Sequence, residues 1–169
     1  MPPVYSLRNV LDNDHEWLVG LHNDEEVLHN LTDPRPITLE SHLQWWRSLD
    51  SNKQIRKVFC FDGTRAGFTK FYAIDQPNKN CVLGADLHRD FRGKGLAKHM
   101  WTLMCRFCFE DLGLHRVSLT TASYNQRAQH VYRALGFSEE GRLIESLYRN
   151  GEYHDQICMY LLKDSWHIS

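Results

Sequence analysis

The chain has no excess of charge of either sign, no long apolar run, no paired-cysteine framework and no low-complexity stretch, and each absence removes a class of protein. Against 21 acidic residues stand 20 basic ones, a formal net charge of −1. No whole-molecule field therefore draws it to nucleic acid or to an anionic membrane, and any basic site must be local. No apolar run approaches the roughly 18 residues that a membrane-spanning helix needs. Five cysteines, Cys60, Cys81, Cys105, Cys108 and Cys158, are an odd number. The opening MPPVYSLRNV carries neither an apolar signal core nor an Arg-rich amphipathic stretch, so a reducing, cytoplasmic setting is expected. Cys105-Arg106-Phe107-Cys108 imitates a redox or metal motif. It lies inside a helical repeat rather than at a helix N-terminus, and no second CxxC or matched His pair completes a zinc set, so packing cysteines and no metal are expected. With 169 residues and no linker or internal repeat, a single domain over 1–169 is expected, able to bury roughly 70% of its unfolded surface.

What is present is an alternation of short strands and helices. VYSLRNV, residues 4–10, reads as a strand, and Asp12 or Asn13 caps a helix over 14–22 with Trp17, Leu18 and Leu21 on one face. Pro34 and Pro36 make 30–38 a loop that delivers Thr38 as the cap of LESHLQWWRSL. In that helix Leu39, His42 or Leu43, Trp46 and Leu49 share a stripe, and Trp45 falls off it. Strands over 55–61 and 65–73 flank the turn Asp62-Gly63-Thr64, and CVLGADL, 81–87, is a fourth strand. Leu96, Met100, Leu103, Met104 and Phe107 recur at helical spacing, which predicts a helix over 95–111 ended by Gly113. A strand over 115–121 follows. Asn125 then caps a helix carrying Ala128, Val131, Tyr132 and Leu135, and strands over 137–146 and 152–162 close around Asn150-Gly151.

The stretch RGKGLAKHMWTLM, residues 92–104, puts two glycines and two cations at the start of an apolar helix. A strand, a short loop rich in N–H groups and a helix N-terminus bind phosphate, because the first helix amides lack internal partners and the dipole is positive there. Gly93 and Gly95 let backbone approach an anion, while Arg92 and Lys94 add charge that a diphosphate can use. A dinucleotide fingerprint would need glycine or alanine at Lys98, and RGKGLA lacks the GK[ST] ending of a Walker loop.

A second constellation, NQRAQHVYRALGF at 125–137, places Asn125 at a helix start, Tyr132 two turns on, and Gly136-Phe137 at the exit into a strand. Together with R-x-x-G-x-A at Arg92, Gly95 and Ala97, it resembles the GCN5-related N-acetyltransferases (GNAT), over nearly the whole chain and in the order of elements. The resemblance implies an α/β (α+β) fold, a splayed, mixed but mostly antiparallel sheet of about seven strands with about four helices. It implies acetyl-coenzyme A as cosubstrate between the fourth and fifth strands. By carry-over, the backbone of Arg92, Gly93, Lys94, Gly95, Leu96 and Ala97 would hold the pyrophosphate, and Asn125 the pantetheine arm. Leu87, Arg127 and Ala128 would add cofactor contacts, and Tyr132 would serve the thioester sulfur as general acid. A bulge at Gly84 would splay the strands and free an amide to polarise the carbonyl.

Where many relatives carry a glutamate on the fourth strand, this chain has Val82. Asp86, on the same face as Val82 and Gly84, is the first choice of base, His88 the second, and His154 or Asp155 the third. The acceptor site would be built from 22–49 and the last hairpin, with His22, Asn23, Asn30, His42, Trp45, Trp46 and His154 as binding residues. Its wording is similar to that of acetyltransferases acting on nucleotide-linked amino sugars. A polyamine, held by Asp24, Glu25, Glu26, Asp33 and Glu40, a protein N-terminus, and a non-catalytic acyl-coenzyme A sensor are the alternatives. The expected partners are acetyl-coenzyme A and a small amine, without nucleic acid or membrane, with a possible homodimer.

Overall fold

The computed structural model describes residues 1–167, so the last two positions of the expected 1–169 domain lie outside the described residues. In chain order the elements are β1 (Tyr5–Asn9), α1 (His15–His22), α2 (Glu25–Asn30), α3 (Leu39–Arg47), β2 (Ile55–Phe61), β3 (Thr64–Asp75), β4 (Asn80–Leu87), α4 (Leu96–Arg106), β5 (Arg116–Ala122), α5 (Gln126–Ala134), β6 (Ser138–Arg149) and β7 (Glu152–Leu162). The seven strands form one sheet in the order β1-β2-β3-β4-β5-β7-β6. Every pairing is antiparallel except β4 with β5, which is parallel. Among the described residues no helix is long and apolar enough to cross a membrane.

The core follows from the two periodicities. Phe59, Phe71, Leu83, Val117, Leu119 and Met159 point to one face of the sheet and meet Met100, Trp101 and Met104 from α4 and Tyr132 from α5. On the opposite face of β3, Phe68 joins Leu18, Leu21 and Val27 in a smaller cluster under α1 and α2. Cys81, Cys105 and Cys108 are buried in the main core. Burial pushes the Cys105 thiol up to about 12, and the Cys108 thiol is raised by its contact with Cys81 at 3.7 Å and by burial. The Cys105 and Cys108 thiols stay protonated, and all three cysteines pack as small hydrophobes.

Three expectations need correction. Among the described residues there are five α-helices rather than about four: α2 escapes periodicity because six residues make too few turns and bury only Val27. Its start is nevertheless sound local chemistry, since Asp24 caps it by accepting from the Glu26 and Val27 amides at 3.1 and 3.2 Å. The helix expected over 95–111 is α4 followed by a π turn, Phe107–Asp111. Finally, Gly84 is not a bulge: it stands in regular register opposite Lys70, and the irregularity on that side lies between Tyr72 and Asp75, where Ala73 takes φ 49°.

The splay has another origin. β4 and β5 pair only from Asn80 opposite Arg116 to Val82 opposite Ser118, after which they diverge. Parallel strands twist and separate where nothing clamps them, and here the helix-start loops of α4 and α5 enter the gap.

Candidate active site

A cleft of about 340 Å³ opens where β4 leaves β5, lined by the end of β4, the loop before α4 and the first turns of α4 and α5. The bond from the His88 N–H to the Ala66 carbonyl, 2.8 Å, sets the phase of the β3–β4 ladder. Even-numbered residues of β4 therefore turn their amides toward β3, while Ala85 and Leu87 turn theirs into the gap. Both residues line the cleft.

The loop that begins α4 holds Gly93 at φ 72° and Gly95, the helix cap, at φ 75°. An added Cβ would meet nothing within 4 Å at either glycine. The left-handed backbone, not crowding, is thus what demands glycine here. Among the described residues no protein acceptor is bonded to the amides of Gly93, Lys94, Gly95, Leu96 or Ala97, and this nest of N–H groups can receive an anion.

Arg92 departs from expectation. Its amide donates to the Arg89 carbonyl at 3.2 Å. Its guanidinium donates to the Leu87 carbonyl at 2.9 Å, to Glu26 at 3.1 Å and to Asp24 at 2.8 Å. Arg92 is therefore a clamp joining β4, α2 and the loop rather than a free cation for a diphosphate. Lys94 remains exposed, its Nζ 5.8 Å from the Phe91 ring centre. Arg127, also solvent-exposed, lines the cleft and donates to Glu26 at 3.1 Å.

Opposite the loop, Asn125 caps α5 by accepting from the Ala128 amide at 3.2 Å, and both residues line the cleft. Tyr132, one helical face further on, packs edge-on against Trp101 with ring centres 4.7 Å apart. Its hydroxyl makes no protein hydrogen bond among the described residues, and the residue lines the cleft. Burial first, then the nearby Asp86 and Tyr72, push its pKa far above the usual phenol range. The group is a protonated donor across the physiological range.

Asp86 lines both this cleft and a second cavity of about 350 Å³ beneath α1 and α3. Regular register keeps it on the face of Val82 and Gly84, and Lys70 holds its carboxylate at 2.5 Å. The other proposed bases lie elsewhere. His88 Nδ1 accepts from the Asp90 amide at 3.3 Å and its ring lies over Trp17. Asp155 binds the Glu145 amide at 2.9 Å, and His154 packs on Tyr124; neither lines either cavity.

The second cavity is walled chiefly by Leu18, Leu21, Leu31, Ile37, Phe68 and Trp45, with His22, His42, Asp33, Lys70 and Asp86 as its polar groups. It gathers three of the seven expected acceptor residues, His22, His42 and Trp45. Asn23 is instead a staple, donating to the Ile37 carbonyl and accepting from the Ile37 amide, each at 2.8 Å. Asn30 faces the first cleft, Trp46 packs into the smaller core, and His154 sits on the last hairpin away from the cavity. The acids expected to grip a polycation are largely committed. Asp24 is buried beside Arg92 and Arg89, Glu26 binds Arg92 and Arg127, and Asp33 chelates Arg35. Burial alone would raise the Asp24 pKa, but the Arg92 hydrogen bond and the helix amides overcome it and leave it lowered. Among the described residues no group of three or more His, Cys, Asp or Glu is placed to hold a metal.

Sequence reasoning missed Lys70, Arg149 and His15. Buried Arg149 reaches from β6 to the carbonyls of His29 at 3.2 Å, Leu31, and Thr32 at 3.2 Å, fixing the chain after α2. Tyr124 adds a bond to the His29 carbonyl at 2.6 Å. Contacts spanning about a hundred positions leave no local pattern to read.

Comparison with known proteins agrees with this architecture. A family model described as an acetyltransferase (GNAT) domain matches residues 6–138. The chain is 31% identical over 122 residues to the putative ribosomal N-acetyltransferase YdaF of Bacillus subtilis, covering 72% of this chain and 67% of that protein. It is 27% identical over 169 residues to the spermidine N(1)-acetyltransferase of Escherichia coli, covering 98% and 91%. The spermidine N-acetyltransferase of Vibrio cholerae in complex with CoA and spermine shares the fold, with a TM-score of 0.90 over 95% of this chain and 96% of that one at 24% identity.

Proposed function

The chain belongs to the GNAT acetyltransferases, enzymes that use acyl-coenzyme A as acyl donor, and from that premise we propose that it acetylates the primary amine of a small molecule with a compact body such as a ring. The observation that carries this reading is the meeting of two cavities at Asp86, one beside Tyr132 and the α4 loop, the other walled by α1 and α3.

In this reading the diphosphate of acetyl-coenzyme A rests on the free amides of Gly93 to Ala97, and the thioester lies between β4 and α5. The acceptor amine, neutral at the moment of attack, comes from the second cavity. Its lone pair forms the C–N bond while an amide of Ala85 or Leu87 polarises the carbonyl. The C–S bond then breaks as Tyr132 gives its proton to the departing thiolate, and the proton that the acylated nitrogen sheds returns to the Tyr132 oxygen and restores the phenol.

The walls of the second cavity favour a ring or hydrocarbon body over a polycation. Trp45 offers an exposed face, His22 and His42 offer hydrogen bonds, and Lys70 repels extra positive charge. A nucleotide-linked amino sugar meets these terms, with its nucleotide outside the cavity. A polyamine is the second reading, favoured by the spermidine acetyltransferase relatives; it would have to draw Asp33 from Arg35 or Asp86 from Lys70, the two carboxylates of the cavity. An acceptor screen with nucleotide amino sugars, spermidine, amino acids and peptides, read by release of free coenzyme A, tests both. Preference for spermidine would replace the first reading by the second. Coenzyme A binding without turnover of any amine would point to a sensor.

A further inference from the structure

We propose that His42 and His15 form the exit through which the proton lost by the acceptor ammonium leaves the acceptor cavity for solvent. The inference rests on the N-acetyltransfer reading above, since an amine that enters as an ammonium must shed a proton before it can attack.

The acceptor cavity and a third cavity, of about 580 Å³, lie on either side of the packed pair α1 and α3. His42 lines the first and His15 the second. Between them His15 Nδ1 and His42 Nε2 stand 3.0 Å apart, with both residues buried. Arg56 Nε is the only buried side-chain nitrogen or oxygen without a partner among the described residues. The two remaining ring nitrogens, His42 Nδ1 and His15 Nε2, therefore keep some accessible surface, and each belongs to a residue that lines one of the two cavities.

The other groups facing this pair are accounted for. In the acceptor cavity, Asp86 is held by Lys70 and Asp33 by Arg35, and His22 Nε2 lies 3.3 Å from the Arg35 carbonyl. Around His15 the third cavity adds Asp12, Glu16 and Arg47. Trp45 and Trp46 pack on the rings and keep bulk water from the junction. Burial first, then His15 and His22, hold the His42 pKa down at about 4. It rests neutral, with a vacant nitrogen and no stored charge.

The transfer balances without a resident imidazolium. The ammonium gives its proton to His42 Nδ1 as the Nε2 proton of His42 moves to His15 Nδ1. The Nε2 proton of His15 then passes to water in the third cavity, and ring tautomerisation resets the pair.

His15→Gln and His42→Gln keep a hydrogen-bonding side chain but cannot relay. Each is expected to lower kcat/KM at pH 7 about tenfold or more, with coenzyme A affinity and melting temperature unchanged. The loss should fade toward about pH 10, where a primary amine arrives largely neutral. Added imidazole should restore part of the His15→Gln activity, and the double variant should be no worse than His42→Gln alone. A loss that is uniform across pH, or additive in the double variant, would overturn the exit. For wild-type enzyme a curved proton inventory in mixed H2O and D2O is expected below the amine pKa, and a linear one would also overturn it. If wild type acetylates amines and both variants match it at pH 7, only the proton exit falls. If wild type acetylates none, the transfer reading falls with it.

Discussion

The proposed cofactor side and the proposed acceptor side of this molecule are built on different principles. The first is a continuous piece of chain, from β4 through α4, β5 and α5, in which caps, glycines and unpaired amides act within a few residues of one another. The second is a set of short helices and a proline-bearing loop pinned by distant groups. Arg149 reaches from β6, Arg92 from the α4 loop, and Arg8 and Arg65 meet on Asp14. On the proposed reading, the side that would hold acyl-coenzyme A is built by local rules, while the side that would select an amine is built by side chains that can change independently.

The largest test of that contrast is Tyr132→Phe. It removes one oxygen from the cofactor side, and kcat should fall about a hundredfold or more with coenzyme A affinity intact by calorimetry. A loss below about threefold would take the general acid away from Tyr132. Next is Gly95→Asp, which sets a negative side chain at a positive-φ helix cap facing the anion site. The Kd for coenzyme A should rise about tenfold, and stability should also fall by about 1 kcal/mol because any side chain at φ 75° is strained although the site has open space. Unchanged affinity would remove the diphosphate from this loop.

On the acceptor side the same sizes of change should register as stability and as amine KM. Arg149→Met strips the carbonyls of His29, Leu31 and Thr32 of their donor and should cost about 2 kcal/mol by denaturant titration. It should raise the amine KM several-fold and leave coenzyme A binding alone; equal damage to both ligands would erase the contrast.

Asp14 gives a pH-dependent version. The Arg8 hydrogen bond, opposed by burial and aided by the Leu11 amide and Arg65, lowers its pKa from 3.8 to about 2. Because the folded value is the lower one, the stabilisation is complete above about pH 4 and disappears as pH falls through about 2. It amounts to about 2 kcal/mol. Asp14→Asn should be less stable than wild type at pH 7 and converge with it near pH 2. The smallest effect belongs to Lys94→Ala, two- to threefold in coenzyme A affinity and reduced by salt, since the cation is exposed.

Legibility in the sequence followed the same division. The positions of the strands along the chain and the caps Thr38 and Asn125 are written in local residue types, and the structure has them close to the expected places. Arg92 and Lys94 look equivalent on paper. Only the approach of α2 shows that Arg92 is consumed by Asp24, Glu26 and the Leu87 carbonyl while Lys94 stays in water. Asn23, Asn30 and Trp46 share a stretch with His22, His42 and Trp45 but face other ways. In a segment of short helices and turns, neighbours in sequence point to different surfaces.

Residue types and their spacing were enough to determine where strands, helix starts and the glycine loop before α4 would form, because capping, turns and periodic burial depend on atoms a few bonds apart. Tertiary structure alone decided which charges remained free, that Asp86 stands at the junction of two cavities, and that His15 meets His42. Those outcomes depend on distances between groups far apart in the chain, which are set when helices and sheet pack together.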